Sequence, residues 1–400
     1  MMGLMRFINV FPKVCSIFFL LFSVAANADA VNGVFNVKNF GAVADGKTDD
    51  AKAFVSAWEN ACKSNSAATV LVPEGTYVVS LATFTGPCNA PIVFELHGVI
   101  NAQPGLNTVD KENWIVFKYM KNFTLTGDGV FHGQGSTAWP QNVCSKNSDC
   151  KLPISLRFSF LNDSTIQGIQ SVDCKFFHIN LLGCYNLKMR NLNISAPKDS
   201  PNTDGIHIGQ SSGIEISSSV IGTGDDCVSI GQGSRNINIT GVYCGPGHGI
   251  SVGSLGKAKD EQVIGLTVRN CTFTETDNGV RIKTWPDSTD GLASNFTFDD
   301  IVMNNVGSPI VIDQQYCPYN KCNLQVASRI KINNVSFTNI RGTSSTKDAV
   351  SLVCSQNFPC ENVQIGDINL VHNGPDGPAI STCSNVKPTL VGQQTPPIVV

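Results

Sequence analysis

The 400-residue chain is poor in charged side chains, which make up 15 % of it, whereas about a quarter is usual in globular proteins. This low share argues against an intrinsically disordered chain and against a coiled coil. There is no basic excess either: the formal net charge is −3, while a general nucleic-acid-binding protein is normally basic. The sequence also lacks a phosphate-binding glycine loop and a zinc-spaced set of cysteines. We therefore expect no cofactor, no bound metal and no nucleic-acid partner.

Long hydrophobic runs are almost as scarce, because the only one covers residues 14–24 near the N-terminus. Arg6 and Lys13 precede it, and two overlapping A-x-A sequences at residues 26–30 follow it. This order is typical of a cleaved secretory signal peptide and is too short for a transmembrane helix; an uncleaved signal anchor is the alternative. We predict a signal peptide over residues 1–28, a secreted mature chain over residues 29–400, and no membrane insertion.

Cysteine is plentiful, and the 15 cysteines point to an oxidising compartment. Removal of the signal peptide takes Cys15 with it and leaves 15 − 1 = 14, an even number. Short spacings predict local disulfides at Cys144–Cys150, Cys317–Cys322 and Cys354–Cys360, with Cys62–Cys88 near the N-terminus. Four cysteines remain unassigned: Cys174, Cys184, Cys271 and Cys383.

Two short alternating phrases recur along the chain. The first apolar positions of one phrase are Ile206, Val228, Ile250, Val280, Ile310 and Val350. The second phrase begins at Ile214, Ile237, Leu266, Phe296, Ile330 and Val363. Alternation with period 2 predicts strands, and the Gly, Asn, Asp and Ser residues between them predict turns.

Several strands per repeat without a helical period predict an all-β, single-domain, right-handed parallel β-helix of roughly ten coils. A β-sandwich is the alternative fold, which the in-phase repeats disfavour. One short helix is predicted near the mature N-terminus, with Thr48 or Asp49 as its N-cap, and it would cover the open end of the solenoid. Its apolar face consists of Ala53, Phe54, Ala57, Trp58 and Ala61.

The repeat brings ionisable side chains together, because equivalent positions in adjacent coils lie about 4.8 Å apart. Asp204, Asp226 and His248 each stand two residues before the first apolar position of their strand, and Asp225 adjoins Asp226. Strict alternation would point Asp204 and Asp226 inward, so we expect them on the turn that precedes the strand. The Arg-x-Lys pair at residues 281 and 283 points outward by the same alternation.

Such a face suits glycoside hydrolysis, which needs one protonated and one ionised carboxyl group. Neighbouring carboxyl groups titrate together, so we expect the cluster to keep one proton near neutral pH. The adjacent cations favour an anionic sugar polymer as substrate. Three alternatives remain open: a calcium-dependent pectin lyase that uses the carboxylates as metal ligands, a non-catalytic wall-binding solenoid, and a serine esterase. The last is disfavoured because its two G-x-S-x-G matches do not fall between a strand and a helix.

Four motifs in order carry a resemblance to a known family. They are Asn202-Thr203-Asp204, Gly224-Asp225-Asp226, Gly247-His248-Gly249 and Arg281-Ile282-Lys283. Together they resemble the signature motifs of the polygalacturonases, pectin hydrolases built on a right-handed β-helix. Residues 33–50 resemble the plant pollen exopolygalacturonases in particular, so exo action is expected and endo action is the alternative.

The resemblance implies inverting hydrolysis of α-1,4-galacturonosidic bonds by a monomeric cell-wall enzyme acting in pollen development and tube growth. It implies Asp226 as general acid, Asp204 and Asp225 as the pair that activates water, and His248 as their neighbour. Substrate binding is implied for Arg281, Lys283, Tyr316 and Asn202. The repeat places Cys227 and Cys244 beside the catalytic coils, and their disulfide matches a bridge of the family.

Overall fold

The computed structural model describes residues 33–106, 112–143, 152–318 and 320–399. The predicted signal peptide and the predicted Cys144–Cys150 disulfide lie outside these residues. Within them, no helix is long and apolar enough to cross a membrane.

Strands dominate the described residues, and we number them β1 to β32 along the chain. They are β1 Val34–Asn36, β2 Asp45–Asp49, β3 Ala68–Val72, β4 Thr76–Val78, β5 Ala82–Thr85, β6 Ile92–Leu96, β7 Val99–Asn101, β8 Asn113–Lys118, β9 Phe123–Gly127, β10 Val130–His132, β11 Ile154–Ser159, β12 Asn162–Gln167, β13 Gln170–Val172, β14 Ile179–Leu182, β15 Tyr185–Arg190, β16 Asn193–Ser195, β17 Ile206–Gly209, β18 Ser212–Ser217, β19 Val220–Gly222, β20 Val228–Ile230, β21 Ser234–Thr240, β22 Tyr243–Cys244, β23 Ile250–Leu255, β24 Glu261–Thr274, β25 Asn278–Thr284, β26 Gly291–Val306, β27 Ser308–Asp313, β28 Ile330–Ser344, β29 Asp348–Val353, β30 Glu361–His372, β31 Ile380–Ser384 and β32 Thr389–Thr395. The helices are α1 Ala51–Cys62 and three 3₁₀ turns at Val37–Phe40, Gly135–Thr137 and Trp139–Gln141.

The strands stack in parallel ladders, one strand of each coil above the equivalent strand of the previous coil. One sheet of 11 strands runs from β5 to β31 and includes β17, β20, β23 and β25 in succession. The other sheet has 21 strands and folds around the remaining faces of the coil. This arrangement confirms the right-handed parallel β-helix, and the 11 strands of the first sheet agree with the predicted number of roughly ten coils.

Apolar ladders fill the interior of the solenoid. Ile206 pairs in register with Val228, and Val228 with Ile250, and each is at most 1 % exposed. The first repeated phrase is therefore confirmed as an inward ladder. The second phrase is wrong at one position: Phe296 pairs with Val335, not with Ile330. The chain reaches Ile330 earlier in the same long strand, where its own alternation imitates the repeat.

Helix α1 covers the N-terminal end of the solenoid with the predicted apolar face, all of which is buried. Trp58 packs its ring against Phe84 and Phe117, with ring centroids 5.2 and 6.2 Å away. The predicted N-cap is wrong, because Asp50 occupies that position. Its carboxylate accepts from the backbone of the preceding loop, while Asp49 accepts from the first helical N–H.

Four predicted disulfides are present: Cys62–Cys88, Cys227–Cys244, Cys317–Cys322 and Cys354–Cys360. The four unassigned cysteines are free thiols, three of them buried. The Cys227–Cys244 bridge joins the turn before β20 to β22 and so braces the coils that carry the predicted site.

Candidate active site

The predicted site residues gather at a cleft beside β17, β20, β23 and β25, with a cavity of about 410 Å³. Six of them line the cavity: Asn202, Asp204, Asp225, Asp226, Lys283 and Tyr316. His248 and Arg281 contact the carboxylates of Asp225 and Asp226 respectively. All eight residues that the sequence singled out as catalytic or substrate-binding therefore belong to one region of the molecule.

Two turns of the solenoid set the aspartates at the cleft. Asp204 and Asp226 lie two residues before the first residues of β17 and β20, on the preceding turns and outside strict alternation, as expected. Gly205 makes this turn possible, since a Cβ there would lie 2.5 Å from the carbonyl oxygen of Cys227 in the next coil. Its N–H instead donates to the carbonyl of Asp226, which ties the two aspartate turns together.

Asp226 is a buried carboxylate held by two cations. Arg281 Nη2 donates to its Oδ1 at 3.0 Å, and Lys283 Nζ donates to its Oδ2 at 2.9 Å. A third donor, Ser251 Oγ, lies 2.7 Å from Oδ1. Burial opposes ionisation, but the charges of Lys283 and Arg281 outweigh it and lower the pKa of Asp226. Asp226 is therefore ionised in the site as it stands.

Asp204 has the opposite environment. It is 6 % exposed, and it accepts a hydrogen bond from Ser229 Oγ, which lies 2.7 Å from its Oδ2. Burial, together with the negative charges of Asp225 and Asp226, raises the pKa of Asp204 well above its usual range. The proton that the cluster was expected to retain thus lies on Asp204 rather than on Asp226.

His248 lies between Asp225 and Asp277. Its Nδ1 lies 3.0 Å from Asp225 Oδ1, and its Nε2 lies 3.4 Å from Asp277 Oδ2. The hydrogen bond to Asp225 raises the pKa of His248 in spite of partial burial. At weakly acidic pH, His248 therefore adds a third positive charge. Asp277 was not among the residues predicted from the sequence, although it stands just before the repeated phrase of β25.

Tyr316 and Asn202 complete the walls. The Tyr316 ring centroid lies 5.3 Å from Lys283 Nζ and 5.9 Å from the Arg281 guanidinium carbon, close enough for cation–π attraction. Asn202 lines the same cavity and has a left-handed backbone with φ of 57°, a conformation that asparagine tolerates better than most residues.

A polar ladder runs along the outward face of the first sheet. His207 pairs in register with Ser229, Ser229 with Ser251, and Ser251 with Arg281. Among these four residues, a function was expected from the sequence only for Arg281. Ser229 donates to Asp204, and both Ser251 and Arg281 donate to Asp226. His207 contacts Ser229 rather than an aspartate. The register of this ladder therefore identifies the side chains that surround the two aspartates.

Asp225, Asp226 and His248 each have one atom that could bind a metal ion, and in the described part of the chain these three atoms lie within 4.8 Å of one another. Both oxygens of Asp226 already contact cationic side chains, however, and these charges would repel a divalent cation. The donor set therefore does not fit a metal site, and we derive no metal-dependent step from it.

The comparisons with known proteins agree with this geometry. The family model described as glycosyl hydrolases family 28 matches residues 62–394. The chain belongs to glycosyl hydrolases family 28. Among the relatives of this family 28 chain, a polygalacturonase of Gossypium barbadense is 47 % identical over 97 % of this chain and 95 % of that protein. An exopolygalacturonase of Oenothera organensis is 50 % identical over 88 % of this chain and 98 % of that protein.

Solved structures show the same fold at lower identity. An exopolygalacturonase from Thermotoga maritima superposes with a TM-score of 0.73, at 19 % identity, over 91 % of this chain and 92 % of that chain. An endo-xylogalacturonan hydrolase from Aspergillus tubingensis superposes with a TM-score of 0.78, at 24 % identity, over 88 % and 96 %. The predicted family and the enzyme class, polygalacturonase, are confirmed by the family match and the plant relatives.

Proposed function

We propose that this family 28 enzyme is a secreted exopolygalacturonase that hydrolyses α-1,4-galacturonosidic bonds of polygalacturonate with inversion at the anomeric carbon. The observation that carries the proposal is one cleft with three carboxylates and two cations, the buried Lys283 and the half-buried Arg281, which both contact Asp226. Carboxylates serve acid–base catalysis of glycoside hydrolysis, and Arg and Lys suit a substrate that bears a carboxylate on every sugar.

In the proposed reaction, Asp226 protonates the glycosidic oxygen as its bond to the anomeric carbon breaks. A water molecule forms the new bond to that carbon and gives a proton to Asp204 or Asp225. His248, which is hydrogen-bonded to Asp225, orients the two carboxyl groups that accept this proton. Asn202 and Tyr316 contact the sugar.

The ionised state of Asp226 suggests how the substrate starts this reaction. When Arg281 and Lys283 turn toward a substrate carboxylate, their contacts with Asp226 loosen. Once they do so, the main cause of the lowered pKa of Asp226 is weakened. The proton held at Asp204 can then move to Asp226, which leaves one ionised base and one protonated acid, with the total number of protons unchanged.

Inversion rests on the family resemblance. One oxygen of Asp225 lies within 4.8 Å of one oxygen of Asp226, whereas inverting pairs are usually separated by about 6.5–9.5 Å and retaining pairs by about 5–5.5 Å. The anomer formed first distinguishes the two outcomes, because inversion of an α bond yields the β-anomer.

Exo action is supported by the names of two relatives that are 50 % identical to this chain, exopolygalacturonases of Arabidopsis thaliana and Oenothera organensis. An exo enzyme releases reducing ends with little loss of viscosity, whereas an endo enzyme lowers viscosity early. Parallel measurement of viscosity and reducing ends on polygalacturonate tests this assignment.

We also propose that residues 1–28 direct secretion and that a monomer acts in the plant cell wall, in pollen development and tube growth. The disulfides suit an extracellular compartment. N-terminal sequencing of protein collected from the medium tests the cleavage site. Protein that stays inside the cell would contradict secretion.

The acid assignment is tested by Asp226→Asn, with the exposed Asp367→Asn as matched control. We expect the first variant to fold and to release almost no reducing sugar, and the second to retain wild-type turnover. Wild-type-like turnover by Asp226→Asn would remove the assignment.

A further inference from the structure

Ser229 links a catalytic carboxyl group to a histidine that the proposed reaction does not use. Its Oγ donates to Asp204 Oδ2 at 2.7 Å and lies 2.8 Å from His207 Nδ1. Ser229 is 3 % exposed, and both Ser229 and His207 line the cleft. The three side chains thus form a continuous chain of hydrogen bonds that ends at Asp204.

The next coil contains a matched serine with a different partner behind it. Ser251 pairs in register with Ser229 and donates to Asp226, but it accepts a hydrogen bond from Arg281 Nε at 3.1 Å. The serine that donates to Asp226 therefore has a permanent cation, Arg281, as its other hydrogen-bond partner. The serine that donates to Asp204 instead has the imidazole of His207 as its other partner, and an imidazole nitrogen can either donate or accept a hydrogen bond.

His207 is held neutral in this position. Its ring stacks on Phe177, with centroids 5.0 Å apart and planes 23° apart. Burial lowers the pKa of His207 to about 4; Asp226 acts against this shift, and Lys283 and Arg157 act with it. The strand neighbours on either side, Asn180 and Ser229, are uncharged.

A neutral imidazole suits a carboxyl group that gains and loses a proton. With Asp204 ionised, His207 Nδ1–H donates to Ser229 Oγ, and Ser229 donates to Asp204. With Asp204 protonated on Oδ2, both hydrogen bonds reverse, and the imidazole proton lies on Nε2. Conversion between the two states exchanges one proton with water at Nε2. This nitrogen lies next to the cleft residue Gly231, on which a Cβ would be 3.4 Å from it.

We propose that His207, acting through Ser229, is a positioning residue that keeps Asp204 hydrogen-bonded and correctly oriented in both of its protonation states. This proposal rests on the proposed function, because it assumes that Asp204 takes part in the reaction. It predicts that Ser229 and His207 influence the pH dependence of turnover rather than substrate affinity.

The test compares pH profiles of kcat and kcat/KM on polygalacturonate. In Ser229→Ala, the ionised form of Asp204 loses its hydroxyl donor, so the acidic limb of the kcat profile, where Asp204 is the ionised base, should move up by about one to two pH units. We expect kcat to fall about tenfold and KM to change less than twofold, because Ser229 holds Asp204 in place and does not bind the substrate. His207→Phe keeps a ring to stack on Phe177 and should move the limb in the same direction, whereas His207→Asn should restore part of the shift through its amide.

The matched control is Ser171→Ala. Ser171 Oγ also lies 2.8 Å from a histidine nitrogen, His178 Nδ1, but both residues are buried inside the solenoid. This variant should lose stability without moving the acidic limb. If Ser229→Ala behaves like Ser171→Ala, the role of Ser229 is structural and the proposal is wrong.

A measurement on the unaltered protein covers the case in which a variant fails to fold. The ¹⁵N shifts of His207 should show a neutral ring whose tautomer changes as Asp204 titrates, and no such change in Asp204→Asn. A tautomer that does not respond to Asp204 would overturn the relay. Absence of any wild-type hydrolysis would instead overturn the proposed function.

Discussion

Replacement of Lys283 by methionine separates substrate binding from proton placement. Methionine retains most of the length of the buried side chain but removes the ammonium group that lies 2.9 Å from Asp226 Oδ2. A hydrogen bond to a charged group contributes about 1.5–3 kcal/mol. If Lys283 transfers this contact to the substrate carboxylate, its loss should raise KM by about tenfold to 150-fold, since about 1.4 kcal/mol corresponds to tenfold.

The effect on kcat should be smaller, because Asp226 loses one of the two cations that lower its pKa and so holds a proton more readily. Initial rates on polygalacturonate across a range of concentrations give KM and kcat separately, and thermal unfolding checks that the variant folds. Lys331→Met, at an exposed position of β28, is the matched control and should leave both constants unchanged. An unchanged KM with a collapsed kcat would mean that Lys283 acts on Asp226 alone and does not bind the substrate carboxylate.

Further predictions concern stability. Asp204→Asn should raise the melting temperature at pH 7 but not at pH 4. The raised pKa of Asp204 means that the folded state binds the extra proton, so stability falls as pH rises above about 4. Asp226→Asn should do the opposite and cost about 3 kcal/mol at pH 7, because it leaves the buried Lys283 and the half-buried Arg281 without their carboxylate. The difference should shrink as pH falls below about 4. Loss of the Cys227–Cys244 bridge, which spans 17 residues, should lower the free energy of unfolding by about 3 kcal/mol in denaturant titrations. Trp58→Ala should lower it by about 3–5 kcal/mol by opening a cavity beneath the capping helix. Unchanged denaturant midpoints would contradict the last two predictions, and equal pH dependence of the two aspartate variants would contradict the first two.

The placement of the site followed from the repeat. Equivalent positions of successive coils stack about one strand spacing apart, so Asp204, Asp226 and Arg281 were predicted to converge although 77 residues separate the first from the last. The resemblance added the roles of these residues. Both the fold and the residues of the cleft were therefore accessible from the sequence.

The protonation pattern was not accessible in the same way. Phase indicates which side chains share a face, but not which cation contacts which carboxylate. The difference between Asp226, which contacts Arg281 and Lys283, and Asp204, which contacts Ser229, depends on side-chain rotamers. The same limit explains the misplaced N-cap, because Asp49 and Asp50 both have a carboxylate that can cap a helix.

The position at which one coil ends and the next begins could also not be predicted from the sequence pattern where strands are long. In β28, Ile330 and Val335 both begin an alternating apolar segment, and only the register with Phe296 shows which one belongs to the repeated position. Period-2 alternation continues through a long strand, so it does not mark where one face of the solenoid gives way to the next.

In the proposed reaction, this family 28 enzyme hydrolyses polygalacturonate by direct attack of water. A time course of ¹H NMR spectra on a short oligogalacturonate, digested by the purified enzyme, tests it most directly. We expect galacturonic acid to be released one unit at a time, with the β-anomer formed before the α-anomer appears by mutarotation. First appearance of the α-anomer would contradict inversion, and a 4,5-unsaturated product would contradict hydrolysis itself.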